Sequence, residues 1–324
     1  MTIKDVWGQY GEELHRVELQ IQENLKSDVS LIKTVGRHIL QSGGKRLRPL
    51  LVILSSKLCG YKGESDSLLA SIVEFIHTAS LLHDDVVDGA RFRRGKPVAH
   101  SVWGNQTSIL VGDYLYSKAL NLAVNMKNQR IMDTLSETTM AMSEGEVFQL
   151  MKLSDPDISE EDYLNIIKAK TALLMSASCR IGAIISKVNS FLEEAIAGYG
   201  FYLGMAFQLA DDILDYKADE TKLGKSLGKD IEEGKITLPL ICLLRNGTQK
   251  EIKTIKDIIT SEKFNKNALR YIIRLMERYR CLHYSFNMAK GFIEQAKEQI
   301  SIFDRCDAKD SLFAIADYVI SRER

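Results

Sequence analysis

The sequence predicts an all-α protein, on three observations. Apolar residues recur at steps of three and four along most of its length. Its four prolines, Pro49, Pro97, Pro156 and Pro239, all fall where helices would start or stop. No stretch alternates long enough to make a sheet. In order along the chain, Arg48-Pro49 marks a helix entry and Gly60 its exit. Leu69, Ile72, Val73, Ile76, Ser80 and Asp84 then step along one helix face. Similar patterns run through Thr107–Met126, Ile131–Leu153, Ser159–Lys187, Phe191–Tyr216, Ile236–Arg245, Phe264–Tyr279 and Leu282–Phe303. Ser159 and Asp162 give the Ser159–Lys187 pattern a start resembling a capping box. No linker or repeat divides the chain, so residues 1–324 are expected to form one domain, a helical bundle around a central cavity.

Composition excludes several functions. Lys plus Arg and Asp plus Glu each total 43, so there is no basic excess for nucleic acid. Hydrophobic residues make up 45% and charged residues 27%, a globular balance. The five cysteines are scattered without a C-x-x-C pair and read as reduced core thiols. The opening MTIKDVWGQYGEELHR holds acidic residues and no apolar core, so no secretory signal is expected. Charges break every apolar run short of membrane-spanning length. The expected compartment is the cytoplasm.

The chemistry concentrates in two copies of DDxxD: Asp84, Asp85 and Asp88, then Asp211, Asp212 and Asp215. On a helix, residues four apart share a face, so Asp84 aligns with Asp88 and Asp211 with Asp215. Carboxylates crowded in this way need compensation. Magnesium supplies it, since it takes one or two carboxylates together with substrate phosphates and water. A single cluster would read as a solvated helix end; two, each closing an apolar run, point to a polar mouth above an apolar interior. An EF-hand loop fits poorly, because it needs alternate oxygens around a central glycine.

Cations complement the acids. Gly43-Gly44-Lys45-Arg46-Leu47-Arg48-Pro49 is a glycine-led basic turn, suited to phosphate oxygens unless it is simply a solvated surface turn. Arg93-Arg94-Gly95 follows the first cluster. Lys225, within LGKSLGKD, and Lys235 follow the second. Lys170-Thr171 lies mid-helix, where a lysine either binds an anion or snorkels to water. His77, seven residues before Asp84, shares its helix face.

GGKRLRP, HDDVVD followed by RRGKP, the KT pair and FQLADDILDY occur in this order together with the GK-containing loop. As a set they resemble the trans-isoprenyl diphosphate synthase family over nearly the whole chain. The FIHTA, LLHDDVVD, GEV, QLM and TLPL segments are most similar to those of its octaprenyl-forming members. The resemblance implies an isoprenoid-synthase-type helical bundle, usually homodimeric, that condenses isopentenyl diphosphate with an allylic diphosphate. It implies that Asp84, Asp88 and Asp211 ligate magnesium, with Asp85, Asp212 and Asp215 supporting them. Lys45, Arg48, His77 and Arg94 match the isopentenyl diphosphate site. Arg93, Lys170, Thr171, Gln208, Lys225 and Lys235 match positions that hold the allylic diphosphate. The expected reaction is ionisation, condensation and elimination, and no protein base is assigned.

Product length is expected to follow the depth below the first cluster. Ala79 and Ser80 lie one turn before Asp84, where short-chain members carry bulky aromatics. Small residues there leave a path for a growing tail, or else merely allow close helix packing. Phe75, Ile76 and Val73, or Met140 and Phe148 on a facing helix, are candidates for the stop. A heptaprenyl to nonaprenyl product is expected, octaprenyl first. The alternatives are a farnesyl or geranylgeranyl synthase, a class I terpene cyclase, and a subunit of a heteromeric synthase. A cyclase ionises one diphosphate, and the second DDxxD with GGKRLRP argues for two.

Overall fold

The computed structural model describes residues 1–40, 43–217, 227–260 and 265–321. The fold is all-α as expected. Among the described residues the only sheet is an antiparallel hairpin of Phe92–Arg93 with Lys96–Pro97. The chain forms two compact units.

The first unit comprises Met1–Thr139, Leu174–Ala197 and Phe303–Ala314. Its centre is the helix Ser65–Val87, which carries the first aspartate cluster at its end. That helix is apolar almost all round, as a core helix must be. Leu69, Ile72, Val73, Phe75, Ile76 and Leu82 are fully or almost fully buried. It packs on the helices Gly11–Asn24, Leu47–Leu58 and Asn105–Asn125. Leu47–Leu58 ends as expected, with Gly60 left-handed at φ 77° and the Tyr61 N–H returned to the Ser56 carbonyl.

The second unit comprises Met140–Leu173, Gly198–Ile302 and Ile315–Arg324. Tyr163, Ile167, Leu209, Ile213, Leu240 and Ile272 belong to its apolar core. The pattern over Ser159–Lys187 is not one regular helix. Glu160–Ile167 leads into a π-helical turn at Lys168–Ala172, and Leu173–Ser186 follows. Ser159 and Asp162 do form a capping box. The second aspartate cluster lies near the end of Ser190–Lys217.

Several helices had no counterpart in the sequence reading: Ile3–Gln9, Gly11–Asn24, Ser30–Leu40, Gln249–Ile259 and Asp307–Ser321. Gly11–Asn24 shows why, since it buries only Val17 and Ile21 and its apolar stripe is thin. The thiols also depart from expectation: Cys179, Cys242 and Cys281 are buried, but Cys59 is only partly so and Cys306 is exposed. No helix among the described residues is long and apolar enough to cross a membrane.

Candidate active site

In the first unit the Ser65–Val87 helix stops at its own aspartates. Asp88 caps it, its N–H bonded to the Asp84 carbonyl at 2.8 Å. Asp84 and Asp88 are half-buried, while Asp85 is 1% exposed. Asp85 is gripped by Arg93, whose Nε and Nη2 donate to its Oδ1 at 3.0 and 2.8 Å. Arg93 reaches it because Arg94-Gly95 form a two-residue hairpin loop with φ of 51° and 77°. That combination is the primed turn suited to strand twist, and a non-glycine residue at its first position is strained. The turn also lays the Arg94 guanidinium on the Gly44 backbone. A Cβ at Gly44 would come to 2.8 Å from Arg94 Nη1, so any side chain there would push the guanidinium aside.

Arg46 anchors the basic turn. Its guanidinium is bonded to Glu18 and Glu74, each at 2.5 Å, and to the Leu40 carbonyl. Arg46 is therefore structural, whereas its neighbours face other partners. Arg48 Nη1 donates to His77 Nε2 at 3.2 Å. An arginine can only donate, so Nε2 accepts and Nδ1 carries the imidazole proton. Burial, then the charges of Arg48, Arg93 and Arg94, hold His77 well below its usual pKa. It is neutral. Burial and Arg93 likewise press the Arg94 pKa down. Lys45 is exposed, and its carbonyl accepts the Trp7 indole N–H at 2.7 Å. Arg48, His77, Arg93 and Arg94 thus form an electropositive cluster beside Asp85, a setting for an anion.

In the second unit the pattern repeats with different hardware. Asp211 and Asp215 are half-buried and Asp212 is 5% exposed. The Tyr163 hydroxyl donates to Asp212 Oδ2 at 2.6 Å, and Gln208 Nε2 donates to Oδ1 at 2.8 Å. The Thr171 hydroxyl donates to Gln208 Oε1 at 2.7 Å. Asp215 accepts the Asp230 N–H on Oδ2 at 3.1 Å and the Gly228 N–H on its carbonyl at 3.0 Å. Burial first, then the Asp211 and Asp215 charges, push Asp212 up to about 7, against its two hydrogen bonds. Burial also raises Asp230 well above the usual carboxylate range. Lys170 pairs with Glu146 at 3.0 Å and Lys235 with Glu233 at 2.8 Å. A cavity of about 100 Å³ is lined by Tyr163, Lys170, Gln208, Asp212, Asp230 and Lys235 among others.

Lys225 lies outside the described residues. Phe75, Ile76 and Ala79 are buried in the first unit. Ser80 is half-buried, and its hydroxyl donates to the His77 carbonyl at 2.9 Å. Met140 is 60% exposed, which removes it as a floor for a buried tail within a single chain. Sequence reasoning missed Tyr163, Glu146 and Asp230. Tyr163 was discoverable, since it precedes Lys170 by seven residues, two helical turns of a regular helix.

The sequence matches the Polyprenyl synthetase family over residues 29–276. The chain belongs to the polyprenyl synthetase family. It is 38% identical to octaprenyl diphosphate synthase of Haemophilus influenzae, across 99% of this chain and 98% of that one. Its fold is similar to a polyprenyl synthase from Caulobacter crescentus, described as complexed with calcium and isoprenyl diphosphate. That match has a TM-score of 0.94 and 37% identity over 99% and 98% of the two chains. A decaprenyl diphosphate synthase from Rhodobacter capsulatus gives 0.95 at 36% identity, over 99% of each chain. Relatives between 33% and 36% identical are named for heptaprenyl (component 2, from Bacillus subtilis), nonaprenyl and geranylgeranyl products. This polyprenyl synthetase is therefore a prenyltransferase, a trans-prenyl diphosphate synthase, with the family's all-α fold.

Proposed function

We propose that this synthase is a cytoplasmic homodimer that extends an allylic diphosphate with isopentenyl diphosphate units to a long chain, octaprenyl first. Each protomer acts as a single domain over residues 1–324. Relatives that match 99% of the chain support that reading. The exposed apolar side chains Val147, Leu150 and Met151, three and four residues apart on one helix, support a second copy covering them.

One observation carries the functional reading. In both DDxxD segments the protein immobilises the central aspartate, and the aspartates four apart stay half-buried. The donors are all carboxylate oxygens, which suits a hard cation such as Mg²⁺. Among the described residues no three His, Cys, Asp or Glu side chains already converge on one point. Magnesium needs only one or two of them when phosphate oxygens and water complete its shell. Asp84, Asp88 and Asp211 would hold it, with Asp85, Asp212 and Asp215 in support. Bound there, the ion offsets the charge that builds on the leaving diphosphate.

The remaining steps belong to the chain's own groups. Arg93, Lys170, Thr171, Gln208, Lys225 and Lys235 bind the allylic diphosphate. Lys45, Arg48, Arg94 and neutral His77 dock isopentenyl diphosphate, whose double bond attacks the allylic cation. A proton then leaves without an assigned protein base. The apolar core around Phe75, Ile76 and Ala79 keeps water from the cation and guides the tail.

Incubation with farnesyl and isopentenyl diphosphates, followed by separation of products by length, tests this. A heptaprenyl to nonaprenyl product is expected; a sole product of farnesyl or geranylgeranyl length would refute the long-chain part and favour the short-chain reading that the geranylgeranyl relatives keep alive. Ala79→Tyr should shorten the product while leaving turnover within about threefold, because it blocks the path without touching the charged groups. A relative named as component 2 of a synthase favours one further reading, a subunit that works with a partner chain. Purified protein that stays inactive until another chain is added would establish it.

A further inference from the structure

Tyr163 matches no motif, yet its hydroxyl meets the middle of the second aspartate cluster from 49 residues away in sequence. It is 3% exposed. Its helix is fixed at its start by the Ser159–Asp162 capping box, and Lys152 holds Asp162 at 3.0 Å. This tyrosine is set rigidly before it reaches Asp212.

Direction follows from donor chemistry. Ionised, Asp212 only accepts, so Gln208 turns its NH₂ toward Asp212 Oδ1 and its carbonyl toward Thr171. Asp212 thereby fixes the Gln208 amide, and Gln208 fixes the Thr171 hydroxyl. The π-helical turn places Thr171 within reach, and Gly204 brings the second aspartate helix close. A Cβ at Gly204 would sit 2.5 Å from the Ala172 Cα. Gln208 holds Oδ1 of this carboxylate and Tyr163 holds Oδ2. Without that donor Asp212 is free to turn about its terminal bond, and the orientation passed to Gln208 and Thr171 is lost.

We propose that Tyr163, acting through Asp212, is a positioning residue for the allylic-diphosphate side of the reaction and not for isopentenyl diphosphate. The proposal rests on the assignment of Thr171 and Gln208 to the allylic diphosphate. The test is calorimetric binding of farnesyl thiodiphosphate, a non-ionising allylic analogue, in magnesium, with parallel KM values for isopentenyl diphosphate. Four proteins are compared: wild type, Y163F, D212A and the double variant. Y163F should weaken analogue binding about tenfold and leave the isopentenyl diphosphate KM within about twofold. In the D212A background Y163F should add less than about twofold, because the carboxylate through which it works is gone. Equal weakening toward both substrates, unchanged analogue binding, or a full additional effect in the double variant would overturn the proposal. Should Y163F fail to fold, Y163M removes the same donor and the same values decide. Wild-type protein that does not bind the analogue would instead overturn the assignment of the site.

Discussion

The two aspartate clusters share one spacing and one burial pattern, but they secure their central residues with opposite chemistry. Asp85 is held by Arg93, a permanent cation, through a two-pronged contact. Asp212 is held by a phenol and an amide, both neutral. Dipoles offset a buried charge less well than a cation does, and burial therefore pushes Asp212 up to about 7. The surroundings differ in the same sense. Beside Asp85 stand Arg48, Arg94 and a histidine that burial and these charges keep neutral; beside Asp212 stand Tyr163, Gln208 and the half-buried Asp230. A repeated motif is thus no guide to repeated electrostatics. The first region is built around fixed positive charge, the second around an oriented chain of hydrogen bonds.

The sharpest way to break this contrast is substrate by substrate. Arg48→Ala should raise the KM for isopentenyl diphosphate by roughly 100-fold and change the allylic KM less than about threefold. Equal effects on both would erase the division of labour. Next in size is stability. Arg93→Met leaves the Asp85 carboxylate buried without its cation and should lower stability by about 2 kcal/mol in urea unfolding. The figure is below that of a fully enclosed pair because Arg93 is 30% exposed. Tyr163→Phe, which removes a neutral donor, should cost about 1 kcal/mol. A reversed order would mean that charge is not what separates the two regions.

The smallest effect is on pH. Asp212 and Asp230 have raised pKa values in the folded protein, so folding favours their protonated forms. Stability contributed by these groups grows as pH falls from about 7 toward the ordinary carboxylate range, and shrinks as pH rises back. Metal-free protein should therefore melt higher at pH 6 than at pH 7.5. Asp212→Asn should flatten that slope. Melting curves across that interval check both.

Much of this was legible in the sequence, for definable reasons. Helices that bury broad faces, such as Ser65–Val87, announce themselves by periodicity. Gly11–Asn24 does not, because two buried residues make no pattern. The Arg93–Lys96 hairpin read only as a basic, glycine-ended turn, since two-residue strands carry no alternation. The π-helical turn under Lys170-Thr171 has no compositional mark, and one extra residue in a turn shifts every side chain after it. The motifs exposed the aspartates and the arginines. What holds them did not show, because Tyr163–Asp212, Lys170–Glu146 and Arg46–Glu74 are tertiary pairs far apart in sequence.

The measurement closest to the centre of this account is the magnesium requirement of condensation in six single Asp→Asn variants. Half-saturating magnesium should rise more than about tenfold for Asp84, Asp88 and Asp211, and less than that for Asp85, Asp212 and Asp215, which act through the positions they hold. Six equal shifts, or activity that persists undiminished in excess chelator, would contradict the assignment of these carboxylates to magnesium.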